Sequence, residues 1–273
     1  MHIYPVLIHN GESIAPETAT IPVYTPAMVG ALGVYETILA LDGRYIALDE
    51  HLQRLYASAR GAALQLEVPL ATLRNWCQTL LAANSPQGLV RVLALDLGAA
   101  QADVFLYEMD YTPFPPQAYE EGVPVIIYHG ERALPLIKSF NTLVPGLARK
   151  AAQAAGAHDA LLVDRDGNIT EGSNCNVFAV VDGALVAPPV GAALQGTVAS
   201  RALALAQQLA IPLQRRPMPL TEVPHWQEAF LTSTRRRILP INRVGEHVLG
   251  AAGPVTRRLL AAYWQWEAAE LAR

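Results

Sequence analysis

Lysine is the scarcest cation in this chain: of 20 Lys and Arg residues only Lys138 and Lys150 are lysine, so chemistry that needs a primary amine has two candidates. Cysteine is as rare. Cys77 and Cys175 alone argue against a disulfide scaffold or a zinc cluster, and they predict a reduced, cytoplasmic protein with no metal site. Charged residues make up 16% and sum to −4 at pH 7, too little positive field to attract nucleic acid or an anionic membrane. No apolar run reaches the roughly 18 residues of a spanning helix. The stretch 183–194 is short and holds Pro188 and Pro189. The opening MHIYPVLIHNGE has neither a basic start nor an apolar core, so no signal peptide is expected.

What is present is enough apolar material for a large packed core: 52% of 273 residues are hydrophobic. The pattern predicts an α/β (α+β) chain in two parts. In the first, strands near Ile3 to Ile8, Gly33 to Leu41 and Tyr45 precede a helix N-capped by Asp49, with Leu52, Leu55, Tyr56 and Ala59 at helical spacing. A helix near 71–83 and strands near 89–95 and 103–107 complete a small N-terminal domain over 1–112. The proline-rich segment at 113–121 predicts a linker. A larger domain over 122–273 follows, with short strands, helices near 145–155 and 198–209, and a final helix from about Pro254.

Four segments carry chemistry. Lys138 ends the apolar run of LPLIKSFN; an amine emerging from such a run is partly desolvated, which favours its nucleophilic neutral form. A snorkelling surface lysine fits the same local pattern. Lys150 follows Arg149 in an Ala-rich helix and reads as a solvated charge. Glu171 is set between Thr170 and Gly172 in ITEGSNCNVF, as a buried acceptor or as an exposed turn residue. Gly196-Thr197-Val198 opens a helix whose backbone N–H groups suit an anion. Ser233-Thr234-Arg235-Arg236 sets hydroxyls beside cations, as in a site for phosphate or carboxylate or in a basic surface turn.

LDEHLQRLYASA, IKSFN, ITEGSNCNVF, LQGTVASR and FLTST occur in an order and spacing that resembles the class IV aminotransferases, the two-domain fold-type IV pyridoxal-phosphate enzymes. That resemblance covers nearly the whole chain. It implies that Lys138 forms a Schiff base with pyridoxal 5′-phosphate and then moves the proton at substrate Cα. It implies that Glu171 pairs with the pyridine nitrogen. Arg54, the N–H groups of Thr197 and Val198, and the Ser233 and Thr234 hydroxyls would bind the phosphate, and Tyr35 would position the substrate.

The chain also departs from the family. Gly30-Ala31-Leu32-Gly33 replaces the usual Gly-Asp-Gly, and Gly196-Thr197-Val198-Ala199 replaces Gly-Ile-Thr-Arg. Lys138-Ser-Phe-Asn141 looks like the D-amino-acid aminotransferase and lyase branches, whereas Arg91 occupies a place similar to the carboxylate-facing arginine of branched-chain enzymes. Arg91 with Arg235 or Arg236 is therefore the expected carboxylate trap. The resemblance implies an amino acid and a 2-oxo acid such as 2-oxoglutarate as substrates, and a homodimer. Aminodeoxychorismate lyase is the enzymatic alternative, and a non-catalytic binding protein that kept the fold is the other.

Overall fold

The computed structural model describes residues 2–272. They form two compact units: residues 2–112, 137–141 and 268–272 belong to the first, and 113–136 with 142–267 to the second. The segment expected as a linker carries a helix and belongs to the second unit, and residues 137–141, expected in the second domain, belong to the first.

The first unit contains β1 (Leu7–His9), β2 (Glu12–Ile14), α1 (Pro26–Val29), β3 (Gly33–Leu41), β4 (Arg44–Tyr45), α2 (Leu48–Gly61), α3 (Leu70–Ala83), β5 (Gly88–Leu95) and β6 (Asp103–Met109). Its antiparallel sheet has the order β2-β1-β6-β5-β3-β4. One face carries the buried apolar side chains, Val34, Ile38 and Ala40 of β3 and Val90, Val92 and Ala94 of β5, with Glu36 set among them. Onto this face α2 and α3 place Leu52, Leu55, Ala59, Leu73, Cys77 and Leu80 at helical spacing. Each fully buried leucine contributes about 1.5–3 kcal/mol. The first strand begins only at Leu7, since Ile3 makes a single bridge to Met109. Nor is Asp49 the cap of α2: the N-cap is Ala47 in a left-handed conformation, and Asp49 lies in the first turn, paired with Arg74 at 2.7 Å.

The second unit contains α4 (Pro116–Glu121), β7 (Val123–His129), α5 (Leu143–Ala154), β8 (Asp159–Val163), β9 (Ile169–Gly172), β10 (Asn176–Val181), β11 (Ala184–Ala187), α6 (Thr197–Gln208), β12 (Leu213–Arg215), β13 (Glu228–Ser233), β14 (Arg237–Val244), β15 (His247–Val248) and α7 (Pro254–Leu271) as far as Glu267. The sheet order is β12-β11-β10-β13-β14-β7-β8-β9, and β15 pairs with β14. The pairs β11–β12, β14–β7 and β7–β8 are parallel. Both faces are covered, which is why these strands read as continuous apolar runs rather than alternating ones. In β10, Val177 and Ala179 enter one core with Val223 and Trp226, while Phe178 and Val180 enter the other with Leu205 and Tyr263. Among the described residues no helix is long and apolar enough to cross a membrane.

Candidate active site

In the first unit, strand parity places Tyr35 and Thr37 of β3 on the face opposite the helices. β5 sets Arg91 against Thr37 and Leu93 against Tyr35, so Arg91 is the diagonal neighbour of Tyr35. Its guanidinium carbon lies 4.7 Å from the Tyr35 ring centre. Residues 137–141 run beside the start of β3: the Tyr35 N–H donates to the Lys138 carbonyl, and the Phe140 N–H to that of Gly33, both at 3.0 Å. This backbone pairing delivers the Lys138 amine to the same ring, at 4.8 Å from its centre. Tyr35, Arg91 and Lys138 thus converge although up to about a hundred residues separate them. Arg91 Nε is buried and has no hydrogen-bond partner among the described residues. An unmet buried donor costs about 1–3 kcal/mol, and a carboxylate is the acceptor that would satisfy it. Lys150, by contrast, sits on an exposed turn of α5.

α2 presents His51, Arg54 and Ser58 at i, i+3 and i+7, a single stripe. The Ser58 hydroxyl accepts the Lys138 backbone N–H at 3.1 Å. Arg54 donates from Nε and Nη2 to the two carboxylate oxygens of Glu36, each at 2.7 Å. Burial opposes the charge on Glu36, but the Arg54 guanidinium and the hydrogen bonds of Arg54 and His51 outweigh it and hold the carboxyl at about 2. Burial keeps His51 neutral by lowering its pKa, so His51 Nδ1–H donates to Glu36 Oε2 at 2.7 Å. Glu36 and His51 escaped the sequence reading, yet a signal was there: Glu36 occupies an inward position of an alternating strand, between Val34 and Ile38.

In the second unit, Glu171 lies in β9, paired with Leu162 of β8, and is 5% exposed. Arg132, also unforeseen, places Nη1 3.9 Å from Glu171 Oε1. The turn after β9 is tight: the Gly172 N–H donates to the Cys175 carbonyl at 2.7 Å, and a Cβ at Gly172 would stand 2.3 Å from Cys175 Sγ. Gly196 is the N-cap of α6 without a side-chain cap, and a Cβ there would meet Asn176 Oδ1 at 2.1 Å. Thr197 and Val198 form the first turn of α6, where the helix dipole makes the position favourable to an anion. At the end of β13, Ser233 and Thr234 are half-buried, and Thr232 Oγ1 is buried without a partner among the described residues.

Arg235 and Arg236 part company here. Arg235 is exposed, with its guanidinium carbon 5.7 Å from the Phe114 ring centre. Arg236 is 7% exposed and committed elsewhere: it donates to Asp159 Oδ2 at 2.7 Å, to Asn174 Oδ1 at 2.6 Å and to His158 Nε2 at 3.0 Å. Of the two arginines expected as alternatives for the carboxylate trap, Arg236 thus has its guanidinium held by protein acceptors, whereas Arg235 is exposed.

Chemically, the donors of each unit suit a part of pyridoxal phosphate. The first unit supplies an amine for an aldehyde and a guanidinium for a phosphate dianion; the second supplies a buried carboxylate for a pyridine nitrogen, and helix N–H groups and hydroxyls for phosphate. The class so defined is an enzyme that transfers amino groups. The chain belongs to the amino-transferase class IV family, whose model matches residues 33–244, and it is a transaminase. It is 30% identical to a D-alanine aminotransferase of Bacillus licheniformis over 84% of this chain and 86% of that one. It is 26% identical to a branched-chain-amino-acid aminotransferase of Pseudomonas aeruginosa over 95% and 92%. The structure of the branched-chain amino acid aminotransferase of Thermobaculum terrenum in its PLP form matches with a TM-score of 0.88 at 23% identity, over 99% of this chain and 96% of that one. That likeness establishes the fold.

Proposed function

We propose that this transaminase uses pyridoxal 5′-phosphate to move an amino group from a branched-chain or D-amino acid to a 2-oxo acid such as 2-oxoglutarate. The observation that carries the reading is the Tyr35 ring, with the Lys138 amine 4.8 Å and the Arg91 guanidinium 4.7 Å from its centre. It puts a carboxylate binder and a base at one aromatic surface. When bound, the cofactor supplies an aldehyde carbon for the amino group and a ring that accepts the electron pair leaving substrate Cα.

The chain's own residues do the rest. Lys138 Nζ would take the proton from substrate Cα and deliver it to C4′ of the cofactor, so that the donor leaves as its 2-oxo acid. The Glu171 carboxylate accepts the pyridine N–H and keeps that proton in place. Arg54, the N–H groups of Thr197 and Val198, and the hydroxyls of Ser233 and Thr234 bind the phosphate. Tyr35 orients the substrate, Arg91 binds its α-carboxylate, and Arg235 adds a second cation for it.

We further place the protein in the cytoplasm as a homodimer. The two buried free cysteines suit a reducing compartment, and Val23, Tyr24, Met28 and Val29 of the first unit expose an apolar stretch that a second copy would cover. A panel of L- and D-amino acids, followed by the spectral conversion of the cofactor with 2-oxoglutarate or pyruvate as acceptor, tests the substrate assignment. Conversion by branched-chain or D-amino donors is expected. Inertness to both, with pyruvate and 4-aminobenzoate released from aminodeoxychorismate, overturns it.

A further inference from the structure

Around Asp159, which opens β8, the second unit buries a charge cluster. Asp159 is fully buried, and its carboxylate is shared among three segments. Oδ1 accepts the N–H groups of Ala160 at 2.7 Å and Ser173 at 3.1 Å, and Oδ2 accepts Arg236 Nη2 at 2.7 Å and the Cys175 thiol at 3.4 Å. Arg236 reaches from the β13–β14 turn. Its backbone N–H donates to the Ser233 carbonyl at 3.0 Å, Nη1 to Asn174 Oδ1 at 2.6 Å and Nε to His158 Nε2 at 3.0 Å. His158 can accept that bond because burial and the Arg236 charge push its pKa down to about 4, leaving it neutral. Four of the five guanidinium N–H groups therefore have protein acceptors when Ser233 Oγ, 3.4 Å from Nη1, is included.

A buried ion pair is weak evidence for stability, because an apolar pair of the same volume does as well. What an apolar pair cannot do is hold polar turns at fixed directions. The cluster joins two such turns. One follows Glu171 directly (Ser173, Asn174, Cys175), and the other begins at Ser233 and Thr234.

We propose that Arg236 and Asp159 are positioning residues whose ion pair sets the register of the Glu171 turn against the Ser233–Thr234 turn, so that the ring partner and the phosphate partners of the cofactor are placed together. This rests on the cofactor reading above. Arg236 touches neither substrate nor cofactor, and the α-carboxylate is left to Arg91 with Arg235.

The test separates the dissociation constant for pyridoxal phosphate, read by absorbance titration of the apo-protein, from KM for the amino donor at saturating cofactor. Asn174→Ala and Arg236→Lys each raise that dissociation constant by about tenfold or more, the scale of one lost charge-assisted hydrogen bond. KM stays within about twofold, since the variants do not touch the substrate. Arg236→Met loses more affinity than Arg236→Lys, and Lys rescues it in part. If Arg236→Met or Asp159→Asn fails to fold, Asn174→Ala decides, because it cuts Arg236 from the turn after Glu171 without leaving a buried charge unpaired. Unchanged cofactor affinity with a raised KM makes Arg236 a substrate binder and overturns the proposal. No change in either quantity overturns it as well. A wild-type protein that binds no pyridoxal phosphate instead overturns the functional reading itself.

Discussion

Glu36 grips Arg54 by both carboxylate oxygens, at 2.7 Å each, from a position with no solvent exposure. The pair fixes the Nε–Nη2 edge of the guanidinium against the protein. Removing one partner of a buried pair costs about 3–5 kcal/mol. Arg54→Ala, which strands a fully buried carboxylate, is expected to destabilise more than Glu36→Gln, and chemical denaturation of both variants at pH 7 measures the order. Since Glu36 is held at about 2, below its ordinary 4.5, its contribution is present above pH 4.5 and is lost as pH falls through about 2.

Glu108 is the opposite case. It is fully buried in β6, both oxygens lack a well-formed hydrogen bond, and loss of water raises its pKa to about 7, with Ser85 and Asn84 pulling part way back. A raised carboxyl favours the folded state only while protonated, so its penalty grows from pH 4.5 and is complete above about 7. Glu108→Gln is expected to raise the Tm by several degrees at pH 8 and to change it little at pH 4.5.

At the β9–β10 turn, the 2.3 Å approach of a Gly172 Cβ to Cys175 Sγ predicts that Gly172→Ala costs about 1–3 kcal/mol through overpacking. Cys175→Ala removes the obstructing sulfur. The double variant is therefore expected to be more stable than the sum of the singles, a coupling that urea titrations of all four proteins report.

Arg91→Ala is expected to raise KM for both amino and 2-oxo acids by about tenfold or more while leaving cofactor affinity intact, the profile of a lost carboxylate contact. Steady-state kinetics at saturating pyridoxal phosphate measure it.

Much of this was legible from local pattern. Arg54 in α2, the Lys138 segment and the glycine at the start of α6 lie in contiguous motifs that the sequence shows directly. Other features were not legible, because they depend on register between distant strands. Arg236 meets Asp159 across 77 positions, and Arg91 meets Tyr35 only because β5 pairs with β3 in one register. From the sequence Arg236 read as a cation of a basic surface turn or as a carboxylate binder; in the fold β8, which lies beyond β7 in the sheet, supplies a protein carboxylate. Arg132 illustrates the same limit, since nothing beside it in the chain points to Glu171.

The central claim is that Lys138 is the amine of this enzyme. Reduction of the pyridoxal-phosphate-loaded protein with borohydride, then digestion and mass spectrometry, tests it directly, since two lysines are available. The account predicts the reduced cofactor on the peptide containing Lys138, with labelling abolished in Lys138→Ala. Finding it on Lys150 would contradict the account.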